Sequence, residues 1–284
     1  MKVTLARTAG FCWGVRRTVD KTFETIEAAA GPVQTLGPVI HNPQVIARLK
    51  AEGVEVADRV AEVSAGTTLV VRTHGTTKDE LAVARSRGLE VVDGTCPYVK
   101  VPQAYVQRMS RDGYHVVVVG DEKHPEIRGV VSYAEGPVTV LPAGAPLPEL
   151  PGVKKIAVVA QTTLVGEAFQ RVVGECALRF KEVRAFNTIC YDADERQDDA
   201  RALAAEVDAV VVVGGRASAN TRHLAEICQE LQPRTHHVET ADELDPSWFS
   251  GVEVVGVSAG ASTPDWVVEG VVRRLESMAS PMGA

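Results

Sequence analysis

Three of the five cysteines in this 284-residue chain occupy the same kind of sequence position. Cys12, Cys96 and Cys190 each follow a β-type run and a short polar turn, and each precedes a helical pattern. Three such units, almost evenly spaced, would place three sulfurs around one point. A structural zinc site usually has four ligands, often in closely spaced pairs, whereas an iron–sulfur cubane held by three thiolates leaves one iron open. From these residues alone, a cluster, a zinc site and three unrelated buried thiols all remain open.

The other two cysteines have a different setting. Cys176 in VVGECALRF and Cys228 in HLAEICQEL lie within apolar helical patterns, so we expect both to be core residues. An odd number of cysteines without a secretory signal indicates thiols that are kept reduced. The first twenty residues contain no continuous apolar segment, and runs such as VVVV at 116–119 are too short to span a bilayer. We therefore expect a cytoplasmic protein that does not associate with membranes.

Histidines form a second group with a shared position. His41, His74 and His124 each come just after an apolar run, beside residues that favour turns. A single histidine in such a place is usually a turn or capping residue, but three in equivalent places indicate a function carried on loops.

Hydroxyl-rich turns open three later helices and contain Thr162, Ser218, Asn220 and Ser262. Simple helix capping would explain any one of them. Several helix N-termini directed at one cavity would also form a diphosphate site, because their amide groups and partial positive charge attract anions. Such a site suits a chain with a net charge of -7 and no block of Lys or Arg, a composition that argues against binding of nucleic acid through its phosphates.

The elements that must position these residues are short β-branched runs alternating with helical patterns. In chain order the eight runs are VTLAR, TLVVR, LEVV, YHVVVV, KIAVVA, VRAFNTI, VDAVVVV and VEVVGV. This alternation predicts βα units with largely parallel sheets. The strand–turn–cysteine–helix repeat then predicts three similar α/β lobes in a pseudo-threefold arrangement around a central thiol site.

Nine motifs in this sequence, spread over nearly the whole chain, resemble those of the LytB or IspH family, the 4-hydroxy-3-methylbut-2-enyl diphosphate reductases. In chain order they are GFCWGV, GPVIHNP, RTHG, DGTCPYVK, HPEIRG, AQTT, NTICY, GGRASANTRHL and SAGASTPDW. The resemblance implies a three-lobed enzyme of the last step of the non-mevalonate isoprenoid pathway. It implies lobes at 13–95, 96–187 and 188–284, with the N-terminal strand in 1–12 joining the third lobe.

The same resemblance implies a [4Fe-4S] cluster ligated by Cys12, Cys96 and Cys190. Its open iron would bind the terminal hydroxyl of the substrate, and loss of water would give isopentenyl and dimethylallyl diphosphate.

The resemblance also assigns roles to the polar residues. Diphosphate-binding positions are matched by His41, His74, Ser218, Asn220 and Ser262. His124 falls near both diphosphate and substrate, Glu126 on the residue that relays protons, and Thr162 on one that contacts the substrate hydroxyl or its water. A carboxylic acid suits the loss of hydroxide from an allylic carbon, because that step needs a proton. The alternative for Glu126 is an ion pair with Arg128.

The chain departs from common family residues at Gln103, Val130, Ala193 and Ala219. All three thiols and Glu126 are retained, so we expect cluster chemistry, with a paralogue that reduces another allylic diphosphate as an alternative. A non-catalytic iron–sulfur sensor and a hydrolase with Cys12 as nucleophile, activated by His41 or His74, are further alternatives.

Electrons must come from another molecule. The chain has no G-x-G-x-x-G sequence after a strand and no second cysteine cluster, so neither a nicotinamide site nor an internal electron path is evident. The family resemblance implies an external donor, a reduced ferredoxin or flavodoxin.

Overall fold

Three four-stranded sheets, in which every paired strand is parallel, form the framework of the computed structural model, which describes residues 1–279. The first sheet has the order β3-β2-β4-β5 and the second β7-β6-β8-β9. The third has the order β1-β12-β10-β11, with β1 paired to β12. The predicted α/β class with parallel sheets is thereby confirmed.

The strands of the first sheet are β2 (Val33–Leu36), β3 (Glu55–Ala57), β4 (Thr68–Val71) and β5 (Glu90–Asp93). Those of the second are β6 (His115–Val119), β7 (Val138–Leu141), β8 (Lys155–Ala160) and β9 (Glu182–Phe186). Those of the third are β1 (Lys2–Leu5), β10 (Ala209–Val213), β11 (Thr235–Val238) and β12 (Val254–Ala259).

Helices connect the strands, as parallel pairing requires. They are α1 (Trp13–Ala28), α2 (Pro43–Ala51), α3 (Lys78–Ser86), α4 (Pro97–Arg111), α5 (Pro125–Val131), α6 (Gly166–Arg179), α7 (Tyr191–Glu206), α8 (Ala219–Leu231) and α9 (Asp265–Ala279). Short 3-10 turns lie at Val60–Glu62, Ala241–Glu243 and Pro246–Phe249. None of the helices within residues 1–279 has the length and apolar character that a bilayer crossing requires.

The chain forms two compact units. The two-sheet unit comprises Arg16–Ile40 and Ile46–Cys190 and contains the first and second sheets. The one-sheet unit comprises Met1–Val15, His41–Val45 and the described residues from Tyr191 onward, and contains the third sheet. The lobe boundaries 13–95, 96–187 and 188–284 remain predictions.

Valine-rich central strands supply the core because helices cover both faces of their sheets. The four valines at 116–119 and the four at 210–213 are fully buried. Cys176 and Cys228 are also fully buried, and burial raises the pKa of each thiol to about 11. The expectation that these two cysteines are core residues is confirmed.

Candidate active site

A buried carboxyl group lies at the start of α5 in the two-sheet unit. The side chain of Glu126 is 1% exposed, and both of its oxygens face one residue. Its Oε1 accepts a hydrogen bond from the backbone N–H of Thr162, and its Oε2 accepts one from the Thr162 hydroxyl, each at 2.7 Å. The alternative ion pair with Arg128 is wrong, because both oxygens are used by Thr162 and Arg128 is exposed.

Burial raises the pKa of Glu126 above its usual range, although the two hydrogen bonds from Thr162 act in the opposite direction. A raised pKa keeps a proton on the carboxyl group at pH values where an exposed glutamate is ionised. The Thr162 hydroxyl can donate to a carboxylate and can accept from a carboxylic acid. The hydrogen bond between Glu126 and Thr162 can therefore form in either protonation state of the carboxyl group, and the Thr162 hydroxyl can pass on a proton.

The raised pKa gives a stability prediction for Glu126→Gln. The carboxyl group of Glu126 binds its proton more tightly in the folded state than in the unfolded chain. This difference stabilises the folded state fully at pH values below the ordinary pKa of 4.5. The stabilisation is lost as the pH rises through the folded-state pKa. We therefore expect the free energy of unfolding of the variant, measured in urea without metal, to rise relative to the unmodified protein between pH 4.5 and neutrality. A pH-independent difference would contradict the raised pKa.

His124 immediately precedes α5 and caps it. Its Nδ1 accepts a hydrogen bond from the backbone N–H of Glu126 at 3.2 Å, so the proton of a neutral His124 ring is on Nε2. The rings of His124 and His74 meet edge to face, with their centroids 5.1 Å apart and an interplanar angle of 87°. His74 follows β4 and His124 follows β6, so both stand at the carboxyl ends of parallel strands, as the sequence predicted.

Two of the three singled-out cysteines extend this constellation. The backbone N–H of Cys96 donates to the Thr73 carbonyl at 2.9 Å, and that of Cys190 donates to the Thr162 carbonyl at 2.8 Å. Thr162 therefore contacts Glu126 through its amide and hydroxyl and Cys190 through its carbonyl. Direct contacts and adjacency in the chain therefore connect six predicted site residues within the two-sheet unit. They are Cys96, His74, His124, Glu126, Thr162 and Cys190.

Cys12 belongs to the one-sheet unit and lies just before α1. Its backbone N–H donates to the Ala261 carbonyl at 3.1 Å, and its Sγ accepts a hydrogen bond from the Val15 N–H at 3.3 Å. Gly10 shapes this loop with a φ of +107°, and a Cβ atom there would lie 2.5 Å from a carboxylate oxygen of Asp265. Only glycine suits that position.

The hydroxyl-rich turns of the one-sheet unit form a second constellation. The Ser262 Oγ lies 3.4 Å from the His41 carbonyl oxygen and 3.4 Å from the Ser218 Oγ. Ser218 caps α8, because its Oγ accepts the Thr221 N–H at 3.3 Å, so its own hydroxyl hydrogen can donate elsewhere. Asn220 is 4% exposed, and its Nδ2 has no hydrogen-bond partner among the described residues. An anion at this helix N-terminus would satisfy these donors.

The donor set fits an iron–sulfur cluster. Cys12, Cys96 and Cys190 each stand directly before the first residue of a helix, α1, α4 and α7 respectively. The partial positive charge of a helix N-terminus favours the thiolate, which is the form that binds metal. The two remaining cysteines lack this setting, because they lie in fully buried helix interiors where burial disfavours the thiolate.

Sequence reasoning missed the residues that anchor the Cys12 loop. Asp199 on α7 accepts hydrogen bonds from the Thr8 N–H and hydroxyl at 2.9 Å each. Arg7 adds an ion pair with Asp199 at 3.2 Å. Burial alone would raise the pKa of Asp199, but the hydrogen bonds and the ion pair have the larger effect and hold the pKa below its usual range.

A second charged residue of α7 also holds this loop. Arg196, one turn earlier and 4% exposed, donates to the Thr8 and Ala259 carbonyls. The only signal was two charged residues on one face of a polar helix.

The four departures from common family residues are all buried. Val130 is 1%, Ala193 4%, Ala219 6% and Gln103 7% exposed.

Comparisons with known proteins place these residues in a family context. The family described as LytB protein matches residues 3–276. A 4-hydroxy-3-methylbut-2-enyl diphosphate reductase of Anaeromyxobacter sp. (strain Fw109-5) is 66% identical over 281 residues, 99% of each chain. One from Geobacter sulfurreducens is 54% identical over 276 residues, 97% of each chain.

Solved structures agree with these sequence matches. One of (E)-4-hydroxy-3-methyl-but-2-enyl diphosphate reductase, described as the terminal enzyme of the non-mevalonate pathway, is 44% identical with a TM-score of 0.73, over 98% of this chain and 100% of the other. A reductase structure from Plasmodium falciparum is 24% identical and shares the fold, with a TM-score of 0.91 over 99% of this chain and 89% of that one.

Proposed function

The chain belongs to the LytB protein family, and from this premise we infer that it is an oxidoreductase that reduces 4-hydroxy-3-methylbut-2-enyl diphosphate. The observation that carries the inference is 66% identity to such a reductase across 99% of both chains. The reaction is the last step of the non-mevalonate isoprenoid pathway and gives isopentenyl diphosphate together with dimethylallyl diphosphate. One allylic C–O bond breaks, two electrons and two protons are taken up, and one water leaves.

Cys12, Cys96 and Cys190 are the proposed ligands of a [4Fe-4S] cluster. Their common place before helix N-termini supports this assignment, as does the contrast with the two core thiols. When bound, such a cluster supplies electrons to the substrate and an open iron that acts as a Lewis acid.

The proposed diphosphate ligands are His41, His74, Ser218, Asn220 and Ser262. In the one-sheet unit, the contact between the Ser218 and Ser262 hydroxyls and the unpartnered Asn220 amide at the start of α8 support this role. The amide and hydroxyl groups can donate to phosphate oxygens without any change of charge, and a protonated histidine would bind them more strongly.

A variant of Asn220 tests the diphosphate site. Loss of a hydrogen bond to a charged group costs about 1.5–3 kcal/mol, so we expect Asn220→Ala to raise KM for the substrate by roughly 10- to 100-fold with little change in bound iron. Gln229→Ala is the matched control, because Gln229 lies at the other end of α8, where its Nε2 donates to the Pro233 carbonyl. Equal KM values for the Asn220 variant and the control would contradict the assignment.

Glu126, Thr162 and His124 are the proposed proton-handling residues. Glu126 is buried, which raises its pKa and favours the protonated form, and the Thr162 hydroxyl beside it can transfer a proton toward the departing hydroxyl group of the substrate. His124 fixes the first turn of α5, through its hydrogen bond with the Glu126 N–H, and so holds the carboxyl group in place.

The electron donor and the cellular location belong to the proposal as well. An external reduced ferredoxin or flavodoxin is expected to deliver the electrons, because the chain carries neither a dinucleotide motif nor a second cysteine cluster. A cytoplasmic location remains a prediction from the sequence, made because its apolar runs are short.

An anaerobic assay tests the function. Protein reconstituted with iron and sulfide is given 4-hydroxy-3-methylbut-2-enyl diphosphate and dithionite, and the two isomeric products are followed by mass spectrometry. We expect both products to form in proportion to the protein present. Iron-loaded protein without product would instead indicate the non-catalytic sensor, and turnover of another allylic diphosphate in preference would indicate the paralogue.

A further inference from the structure

Helix α4 has a solvent-exposed face on the side opposite its buried face. Its buried side includes Val99, Val106 and Met109. The opposite side lines a groove of about 400 Å³ with residues at i, i+3, i+4, i+7, i+8 and i+11, which are Pro97, Lys100, Val101, Ala104, Tyr105 and Arg108. This spacing is that of one continuous helix face. Five of these six residues are exposed to solvent, and Tyr105 is half-buried.

The groove combines an apolar floor with a basic rim. Val101 is 41% exposed, and Tyr105 stacks on Phe186 with ring centroids 4.0 Å apart. The guanidinium of Arg108 lies 5.3 Å from the Tyr105 ring and 5.9 Å from the Phe186 ring. Lys100 pairs with Asp93 at 2.6 Å and is still half-exposed. Rigid aromatic and arginine side chains of this kind are typical of protein interfaces.

The charge of α4 is opposite to that of the chain. The helix contains Lys100, Arg108 and Arg111 and no Asp or Glu, whereas the net charge of the protein is -7. The positive end of the helix dipole lies at Pro97, at one end of the groove, and adds to the local field. Glu135 pairs with Arg111 at 2.8 Å and Asp93 with Lys100 at 2.6 Å, so the charge on the rim that no acidic side chain among the described residues pairs with is that of Arg108. A positive rim on an acidic protein attracts an acidic partner and orients it.

The groove also adjoins the proposed redox centre. It begins at Pro97, the residue after Cys96, and Tyr105 in its lining stacks on Phe186, which lies four residues before Cys190. Two of the three proposed cluster ligands of this chain are therefore close in sequence to the groove, and both belong to the same compact unit.

We propose that the α4 groove is the docking surface for a small acidic electron-transfer protein that reduces this enzyme. The proposal rests on the proposed function, because it assigns the surface through which electrons enter. Each one-electron donor is oxidised in one encounter, so two encounters supply the two electrons consumed per C–O bond broken. A small groove with a charged rim suits the short-lived, modest interfaces of redox encounters.

Two substitutions test the surface without touching a proposed ligand. Ala104→Glu adds a negative charge to the middle of the groove, and Arg108→Glu reverses the charge on its rim. Lys50→Glu is the matched control, because Lys50 is an exposed cation of the same unit on α2. The rate is measured with reduced acidic ferredoxin and, separately, with dithionite. We expect kcat/KM for ferredoxin to fall at least roughly tenfold in both groove variants, with a weaker dependence on salt, while dithionite-driven turnover and the control stay unchanged.

The outcomes separate the docking surface from the function itself. Unchanged ferredoxin-driven rates in both groove variants, or an equal loss with Lys50→Glu, would overturn the proposal. If dithionite gives no turnover in the unmodified protein, the proposed function fails instead. In that case titration of oxidised ferredoxin against the protein and both variants still decides whether the groove binds it. Self-association of the protein that either groove variant abolishes would assign the groove to a second copy and would also overturn the proposal.

Discussion

Serine in place of Cys12, Cys96 or Cys190 is expected to abolish turnover and to remove most of the bound iron. A serine hydroxyl keeps the shape of the side chain but stays protonated at neutral pH, and it lacks the soft thiolate that iron–sulfur clusters require. Reconstituted protein should contain close to four irons and four sulfides per chain, as a [4Fe-4S] centre requires, and should absorb in the visible range. Each serine variant should be nearly colourless while its far-ultraviolet circular dichroism stays unchanged.

The matched controls are Cys176→Ala and Cys228→Ala. Both sulfurs are fully buried, so their loss leaves small cavities and lowers the free energy of unfolding by about 1 kcal/mol. We expect both variants to keep their full iron content. Equal iron loss from Cys176→Ala and Cys12→Ser would show that the sorting of the thiols is wrong. Activity that survives Cys96→Ser and Cys190→Ser would instead favour Cys12 as a nucleophile.

Glu126→Gln should lower the rate of the iron-loaded enzyme by roughly 100- to 10,000-fold, the range typical of a general acid. The amide group can accept the hydrogen bond from the Thr162 N–H and donate one to the Thr162 hydroxyl, so the local structure is retained. The substitution removes only the proton that the carboxyl group can give up. The measurement is kcat under substrate saturation, with iron content and substrate affinity determined on the same samples.

Two further variants make this test specific. Glu122→Gln changes an exposed carboxyl group four residues away and should have no effect on the rate. Thr162→Val removes the hydroxyl that connects to Glu126 but keeps the backbone N–H, so we expect a smaller loss that is not additive with Glu126→Gln. Full activity of Glu126→Gln would contradict the proton-handling role and would leave only a structural role for the buried carboxyl.

Buried strands with long apolar runs, such as β8 and β10, were predicted from the sequence. All eight predicted runs form strands, including the fully buried valines of β6 and β10. Those missed are β2, β3, β7 and β11, each of only three or four residues. Three of these are edge strands, where one side of the ladder is unpaired and polar residues are tolerated.

The fourth missed strand, β2, is paired on both sides and yet contains a polar residue. Gln34 is 7% exposed and is satisfied by tertiary contacts, since its Nε2 donates to Glu55 at 3.0 Å and its Oε1 accepts the Ser64 N–H at 3.1 Å. Local propensity does not reveal these partners, because they are 21 and 30 residues away in the chain.

The candidate site shows a similar division. Spacing after apolar runs was enough to place His74, His124 and Ser218 at strand ends, because parallel strands with helical crossovers put their carboxyl ends on one edge. The sequence could not show that Glu126 faces Thr162, since 36 residues separate them. It also could not show which face of α7 carries buried charge, because that helix lacks an apolar stripe.

The anchoring of the Cys12 loop by α7 would link retention of the proposed cluster to local unfolding. Tyr191, the first residue of α7, follows Cys190, and two turns later Asp199 holds the Thr8 amide. Any fraying that loosens this helix would therefore disturb two of the proposed sulfur ligands, Cys12 and Cys190, together rather than one. If the proposed cluster forms, amide hydrogen exchange at Thr8 should slow as iron is loaded, so that one backbone proton reports whether the centre is assembled.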